Sequence, residues 1–154
     1  MILLVYHSIT GNTKTLAEWI EIELRTAGLA VEKYALEDVP PQRLQEADSL
    51  ILGTYTWGNG EMPDQLQHFT EKIYGALNEN LVTGAFGTGD SFYPYFCGAV
   101  DRLKDIFFEK TDLAVTMKVE LLPQPDDHVK CSKFAELIKN RMINNKQKQG
   151  TALN

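Results

Sequence analysis

The sequence predicts a three-layer α/β sandwich, in which helices cover both faces of a five-stranded parallel sheet. Short apolar runs alternate with helical patterns along the 154 residues, and the first and third runs are apolar throughout, as central parallel strands are. Because crossovers between parallel strands are right-handed, such a sheet reverses its winding direction once. We expect the strand order 2-1-3-4-5, in which the loops after strands one and three flank the ligand-binding switch point.

Each element has its own sequence signal. The second strand alternates around Glu32 and is predicted at an edge of the sheet, and Pro63 is predicted in the first turn of the second helix. The predicted strands are Ile2–Tyr6, Ala30–Tyr34, Ser49–Gly53, Leu81–Gly87 and Leu113–Val119. Apolar residues three and four apart indicate four helices: Leu16, Ile20 and Leu24; Leu66, Phe69, Ile73 and Ala76; Ala99, Leu103, Ile106 and Phe107; Phe134, Leu137, Ile138 and Met142.

Composition favours one globular domain, with 44% hydrophobic and 23% charged residues. We expect the domain to span residues 1–143 and the polar, Lys- and Gln-rich residues 144–154 to form a flexible tail. The first apolar run is too short to span a membrane and carries no basic leader, so we expect no membrane association and a cytoplasmic location. The cysteines and histidines show no ligand spacing, which predicts no metal site.

The net charge of −6 is divided unevenly along the chain. Residues 1–127 carry 9 Lys and Arg against 20 Asp and Glu, whereas residues 128–154 carry 6 against 1. The acidic body argues against nucleic acid as a partner and favours proteins with basic docking faces. The same charge is equally typical of a protein that is merely soluble.

The loop after the first strand is predicted to bind an anion. Its sequence, Ser8-Ile9-Thr10-Gly11-Asn12-Thr13, joins an apolar strand to an amphipathic helix, so backbone N–H groups and the helix dipole converge on one point. The loop contains no lysine or arginine, and it lacks the patterns of P-loops and of dinucleotide-binding folds. A phosphate would therefore be held by neutral donors. Taken alone, the loop is equally typical of an ordinary turn that caps a helix.

Aromatic residues and glycines follow the third and fourth strands, at the same predicted edge. After the third comes Thr54-Tyr55-Thr56-Trp57-Gly58-Asn59, and a tryptophan exposed there is unusual unless it meets a ligand; the alternative is a Trp57 folded over the core. After the fourth comes Thr88-Gly89-Asp90-Ser91-Phe92-Tyr93, which leads to Phe96-Cys97. The two loops can supply two walls for a flat ring. Together the three loops predict a site for a phosphorylated planar ring.

On these three motifs the chain resembles a flavodoxin, from about Met1 to about Met142. The motifs are the Ser8–Thr13 loop, Thr56-Trp57-Gly58, and the segment from Gly89 to Cys97. The fifth strand runs to Pro123 without a long insert, so the resemblance is to the short-chain type. It implies the flavodoxin-like fold and FMN as the cofactor.

The resemblance also implies a role for each loop. Trp57 would stack on the inner face of the flavin ring and Tyr93 on its outer face. The phosphate would be held by loop N–H groups and by the side chains of Ser8, Thr10, Asn12 and Thr13. The candidate cofactor-binding residues are Ser8, Ile9, Thr10, Gly11, Asn12, Thr13, Thr54, Tyr55, Thr56, Trp57, Gly58, Asn59, Thr88, Gly89, Asp90, Tyr93, Phe96 and Cys97.

The function implied is that of a low-potential one-electron carrier and not of an enzyme with its own substrate. FMN would pass between quinone, neutral semiquinone and anionic hydroquinone, with the Gly58–Asn59 peptide turning its carbonyl toward N5. Many carboxylates around the ring would disfavour the anionic form. We expect a monomer that carries electrons transiently from a flavodoxin reductase to acceptor enzymes.

Three alternatives compete with this function. A signalling receiver domain needs acidic residues after strand one, an aspartate ending strand three and a lysine ending strand five, but these ends are His7-Ser8, Gly53-Thr54 and Leu121-Leu122. A flavin-dependent activator of a ribonucleotide reductase metal site shares the fold and FMN but tends to be smaller. A small FMN-dependent oxidoreductase acting on a quinone needs an open ring face, which Trp57 and Tyr93 would occupy. The second and third alternatives stay open.

Overall fold

The computed structural model describes residues 1–153 and contains one sheet of five parallel strands in the order β2-β1-β3-β4-β5. The predicted fold class and strand order are therefore confirmed. The third and fourth strands each run two residues past their predicted ends, so the first residues of both candidate loops belong to the sheet. The strands are β1 (Ile2–Tyr6), β2 (Val31–Ala35), β3 (Ser49–Tyr55), β4 (Val82–Gly89) and β5 (Asp112–Glu120).

Helices cover both faces of the sheet. Because successive side chains of a strand point to opposite faces, Leu4 packs with the helices that begin at Asn12 and Asp127, and Leu3 packs with those that begin at Asp64 and Gly98. Short 3₁₀ turns occupy Leu36–Asp38 and Tyr74–Ala76. The helices are α1 (Asn12–Thr26), α2 (Arg43–Glu46), α3 (Asp64–Ile73), α4 (Gly98–Lys110) and α5 (Asp127–Ala152).

Two details of α3 differ from the prediction. Pro63 precedes the helix with an extended ψ of 141°, and its carbonyl accepts the N–H of Gln67 at 3.0 Å. It therefore caps the helix instead of occupying its first turn. At the other end the helix stops at Ile73, so Ala76 lies in an exposed 3₁₀ turn and not on the buried stripe.

Residues 144–152, part of the segment that the sequence predicts as a flexible tail, continue α5, which is helical as far as Ala152. Asn145 is only 8% exposed, and its amide donates to the carboxylate of Asp112 at 3.0 Å. Arg141 donates to the carbonyl of Leu113 at 2.9 Å. This anchor, together with lysines and glutamines that favour helix, carries the helix past residue 143. Asn154 lies outside the described residues.

The anchor also decides where the basic end of the chain lies. Asp112 begins β5, so the C-terminal part of α5 sits at the amino edge of the sheet, away from the candidate loops. Within residues 1–153, no helix is long and apolar enough to cross a bilayer. The same residues contain no cluster of three or more His, Cys, Asp or Glu side chains placed to hold a metal ion.

Candidate functional site

The first loop turns sharply from β1 into α1. Gly11 adopts a φ of +93°, a conformation that favours glycine, and its N–H donates to the Ser8 hydroxyl oxygen at 3.1 Å. Its carbonyl accepts the N–H of Thr15 at 2.9 Å, which starts the helix. Since the first N–H groups of a helix have no intrahelical partner, the amides of Asn12 and Thr13 add donors beside the loop. The geometry is that of an anion site built from neutral donors.

The hydroxyl of Thr13 has a different environment from the other polar side chains of the loop. Thr13 is buried, and its Oγ1 lies 2.8 Å from the Oγ1 of Thr88 in a buried hydrogen bond. This bond ties the start of α1 to the end of β4. The Thr13 side chain therefore joins two of the three loops, which leaves its backbone N–H, in the first turn of α1, as the donor it can offer to an anion.

The loop after β3 forms a tight hairpin that presents Trp57. Trp57 and Glu61 exchange two backbone hydrogen bonds, of 2.9 Å and 2.8 Å, which close an antiparallel bridge around Gly58, Asn59 and Gly60. Both glycines have positive φ, +47° and +93°. The Trp57 side chain is 57% exposed, so the tryptophan is not folded over the core.

The loop after β4 is organised by Asp90. Its carboxylate accepts the N–H of Phe92 at 2.9 Å, and its carbonyl accepts the N–H of Tyr93 at 3.2 Å. Ser91 donates to Glu120 at the end of β5. These bonds turn the loop outward, and Phe92 is left 87% exposed at its tip.

The three loops enclose a cleft of about 330 Å³ at the carboxyl edge of the sheet. A second cleft of about 200 Å³ adjoins it and shares Thr56, Gly58 and Asp90 as a common wall. The larger cleft is lined by Ile9, Thr10, Asn12, Tyr55, Thr56, Trp57, Gly58, Thr88, Gly89, Asp90 and Leu121. The smaller cleft is lined by Thr56, Gly58, Asp90, Tyr93, Tyr95 and Cys97.

Most of the sequence-predicted site residues thus line one of two adjoining clefts, but some lie behind their walls. Thr54 is buried in β3, and Phe96 packs against the core on the α3–α4 side. The candidate residues outside both linings are Ser8, Gly11, Thr13, Thr54, Asn59 and Phe96.

Two lining residues were not assigned to the site from the sequence. Tyr95 belongs to the aromatic loop after β4, so its position in that loop was a usable signal. Leu121 follows β5, and its N–H donates to the carbonyl of Gly89 at 2.8 Å. Because Leu121 follows the strand beside β4, its position in the chain indicated the same edge of the sheet. Its positive φ of +49° could not be predicted, because leucine does not favour that conformation.

Cys97 lies under the smaller cleft with its thiol facing the protein. Its Sγ is 3.8 Å from the carbonyl oxygen of Gly87 and 3.9 Å from that of Val119. Burial raises the pKa of the Cys97 thiol to about 11. The group is therefore a neutral thiol at physiological pH, and only its backbone is available to the site.

His7 lies buried at the end of β1, next to the anion loop. It is 9% exposed, its ring centroid is 5.2 Å from that of Tyr55, and neither ring nitrogen has a hydrogen-bond partner among residues 1–153. Burial lowers the pKa of His7, although nearby Glu37 and the side chain of Gln65 oppose the shift. Since desolvation penalises the charged form, the imidazole of the folded protein is neutral at physiological pH.

This burial predicts a pH dependence of stability. Below about pH 6.5 the unfolded chain binds a proton at His7 that the folded chain does not, so the free energy of unfolding falls with pH at up to about 1.4 kcal/mol per pH unit. Chemical denaturation of the protein and of His7→Gln between pH 8 and pH 5 measures the free energy of unfolding at each pH. We expect the variant to lose less of this free energy as the pH falls. Parallel plots of unfolding free energy against pH for the two proteins would contradict the assignment to His7.

Comparison with known proteins places the chain in a family. The Flavodoxin family model matches residues 4–134. "Probable flavodoxin 1" of Bacillus subtilis (strain 168) is 35% identical over 137 residues, 86% of each chain, and a flavodoxin of Nitratidesulfovibrio vulgaris is 37% identical over 107 residues, 68% of this chain and 72% of that one. The solved flavodoxin of Streptococcus pneumoniae TIGR4 is 34% identical, with a TM-score of 0.84 over 91% of this chain and 98% of that one.

The matched region contains the sheet except for the first two residues of β1, the first four helices and all three loops of the candidate site. The resemblance inferred from the loop motifs is therefore confirmed over the greater part of the chain. Because the family model spans this region and full-length relatives share about a third of their residues with it, the chain belongs to the flavodoxin family, whose members bind FMN and transfer electrons.

Proposed function

We propose that this flavodoxin is a low-potential one-electron carrier that holds FMN across the three loops. One observation carries the proposal: a loop that offers uncharged donors to an anion and a half-exposed tryptophan line a single cleft at the switch point of the sheet. A carrier of this kind has no substrate of its own. It takes electrons from a reductase and gives them to acceptor proteins.

The residues present fit FMN at both ends of the molecule. At the phosphate end, the turn at Gly11 aims N–H groups and hydroxyls at one point, which suits a dianion held by dipoles. At the ring end, Trp57 gives an exposed aromatic wall, and Gly58, which lines the cleft with open space around it, leaves the backbone free to approach a flat ring. The linking bond between Thr13 and Thr88 keeps the two ends at a fixed separation.

Each loop then has a role toward the bound cofactor. Trp57 would cover the inner ring face, and Tyr93, across the shared wall at Gly58, would cover the outer face from the adjoining cleft. Backbone groups of Thr88–Asp90 and of Phe96-Cys97 would bond the pyrimidine edge. The phosphate would be held by the N–H groups of the first loop and by the hydroxyls and amide of Ser8, Thr10 and Asn12.

FMN, when bound, supplies the one-electron chemistry, and the protein tunes it. Gly58 has no atom within 4 Å of the position that a Cβ would take, so the Gly58–Asn59 peptide has room to turn its carbonyl toward a proton at flavin N5. Asp90 lines the cleft, and Glu61 pairs through its backbone with Trp57 at the base of the hairpin. Negative charge at these two residues would disfavour additional negative charge on the ring and would thereby lower the potential of the second electron.

Spectroscopic reduction tests this function. Purified protein is mixed with one equivalent of FMN and reduced stepwise with light. A shifted flavin spectrum that passes through a long-wavelength absorbing, one-electron-reduced stage supports the carrier. Bleaching directly to the two-electron form, together with turnover of an added quinone, would instead support an FMN-dependent oxidoreductase. Absence of binding would overturn the proposal.

We also propose that partners dock on an apolar rim around the cleft. Ile9, Phe92, Tyr95 and Leu121 are all exposed there, and Asp90 adds negative charge to the same rim. The basic end of α5 lies at the opposite edge of the sheet. This distribution suits an acceptor with a basic docking face, which would be held by apolar contact once it has been steered into place.

Replacing Phe92 by serine should slow electron transfer to a basic c-type cytochrome by about 5-fold or more, because a well-exposed aromatic anchor is lost. Stopped-flow reduction of the cytochrome by the photoreduced protein measures the rate. Phe108→Ser is the matched control, since Phe108 is 78% exposed but lies in the last turn of α4, outside the three loops that form the rim. Equal rates for the two variants would contradict docking at the rim.

A further inference from the structure

Two glycines bring the Trp57 hairpin into direct backbone contact with α4. A Cβ built on Gly98 would lie 2.6 Å from the Cα of Gly60 and 2.8 Å from its carbonyl oxygen. A Cβ built on Gly60 would lie 2.6 Å from the Cβ of Tyr95. Because the closest atoms at Gly98 are backbone atoms, they cannot move aside as a side-chain end could. The hairpin therefore rests on the first turn of α4 with no side chain between them.

Two more contacts converge on the same short segment. The N–H of Ala99 donates to the hydroxyl of Thr56, just before the hairpin, at 3.3 Å. On the other side, a Cβ built on Gly89 at the end of β4 would lie 2.9 Å from the Sγ of Cys97 and 3.1 Å from its backbone nitrogen. Both ring-binding loops thus pack against residues 97–99, where α4 begins.

We propose that residues 97–99 are a positioning element that fixes the spacing of the two ring-binding loops, with Gly98 as its central residue. The inference rests on the proposed function, because it concerns how the same cleft holds the flavin ring. It goes beyond the loop roles given above, since Gly98 lines neither cleft and acts only through Gly60.

The contacts make the hairpin asymmetric. Gly60 is held against Tyr95 and Gly98, whereas nothing lies within 4 Å of a Cβ built on Gly58. The two backbone hydrogen bonds between Trp57 and Glu61 extend this restraint from Gly60 to the other side of the hairpin. Movement is therefore confined to the Gly58–Asn59 peptide, while Gly60 and the base of the hairpin stay fixed. An anchor of this kind would set both the tightness of ring binding and the potential difference between the two electron steps.

The test is Gly98→Ala, with Gly75→Ala as the matched control, because Gly75 has open space around it and no positive φ. In the protein without FMN, hydrogen exchange at the Trp57 and Glu61 amides should be at least about tenfold faster in Gly98→Ala. The dissociation constants of FMN and riboflavin should both rise by about tenfold or more, since overpacking displaces the ring wall, with their ratio unchanged because the phosphate loop is untouched. The separation of the two one-electron potentials should change as well.

Two results would overturn the positioning role. The first is amide exchange in Gly98→Ala equal to that in Gly75→Ala. The second is a weakening confined to FMN and absent for riboflavin, which would place the damage at the phosphate loop. Should Gly98→Ala not fold by circular dichroism, Thr56→Val and Thr56→Ser replace it: only valine removes the acceptor of the Ala99 N–H, so only valine should speed the exchange. The exchange readout needs no flavin, so it separates failure of this inference from failure of FMN binding.

Discussion

Replacing Trp57 by alanine is expected to raise the dissociation constant of FMN by about 30- to 150-fold. Trp57 is 57% exposed beside the cleft, so its indole is free to cover a flavin ring. Loss of the buried apolar area and of the specific ring contact together remove about 2–3 kcal/mol of binding free energy. Titration of the protein without FMN, followed by quenching of flavin fluorescence, measures the constant.

Two variants sharpen this test. Trp57→Phe keeps an aromatic face and should weaken binding less than Trp57→Ala. Trp19→Phe is the matched control, because Trp19 lines neither cleft. It stacks on His128 between α1 and α5, with the two ring centroids 3.8 Å apart. Riboflavin should lose affinity in the same proportion as FMN, since the change is at the ring. An unaltered constant for Trp57→Ala would show that Trp57 does not stack on the ring.

Replacing Gly53 by alanine is expected to destabilise the fold by about 3 kcal/mol or more, because overpacking of a rigid core has little room to relax. Gly53 faces Phe86 across β3 and β4. A Cβ on Gly53 would lie 2.0 Å from the Cζ of Phe86. The Phe86 ring is fully buried and packs edge-on against Phe134, with the ring centroids 6.3 Å apart, so it cannot move away. Urea denaturation measures the free energy of unfolding.

A substitution of Phe86 tests whether the clash with its ring is direct. Phe86→Leu alone should destabilise by leaving a cavity, but the double variant Gly53→Ala with Phe86→Leu should lose less than the sum of the two, because the smaller side chain makes room. Gly150→Ala is the control, since nothing lies within 4 Å of a Cβ there and alanine favours helix. Additive losses would contradict a direct clash.

These two positions show different relations between sequence and structure. Trp57 could be proposed as a ring-binding residue from its place in the chain, because it follows a buried strand at the sheet edge where the three loops meet. The role of Gly53 could not be proposed in this way, because the ring that excludes a side chain there belongs to residue 86. A glycine inside a strand has many explanations, and only the packed neighbour distinguishes them.

The C-terminal region illustrates the same limit. Residues 144–152 are polar and give no apolar stripe, so the sequence indicated a flexible tail. The helix continues because Asn145 and Arg141 reach Asp112 and Leu113. Partners about thirty positions away in the chain leave no periodic signal, since periodicity reports burial of apolar side chains and not polar anchoring.

What the sequence determined by itself was the order of strands, the edge at which the loops meet, the family and the three motifs of the site. The loops and the edge where they meet follow from local patterns and from the fixed handedness of crossovers, and the strand order and the family follow from the resemblance carried by the three motifs. None of these needs knowledge of individual contacts. Tertiary structure alone decided that Thr13 is bonded to Thr88, that His7 is buried without a partner among residues 1–153, and that Gly60 rests on Gly98. Each depends on which distant residue lies at the other end of the contact, and a residue's own neighbours in the chain do not specify that.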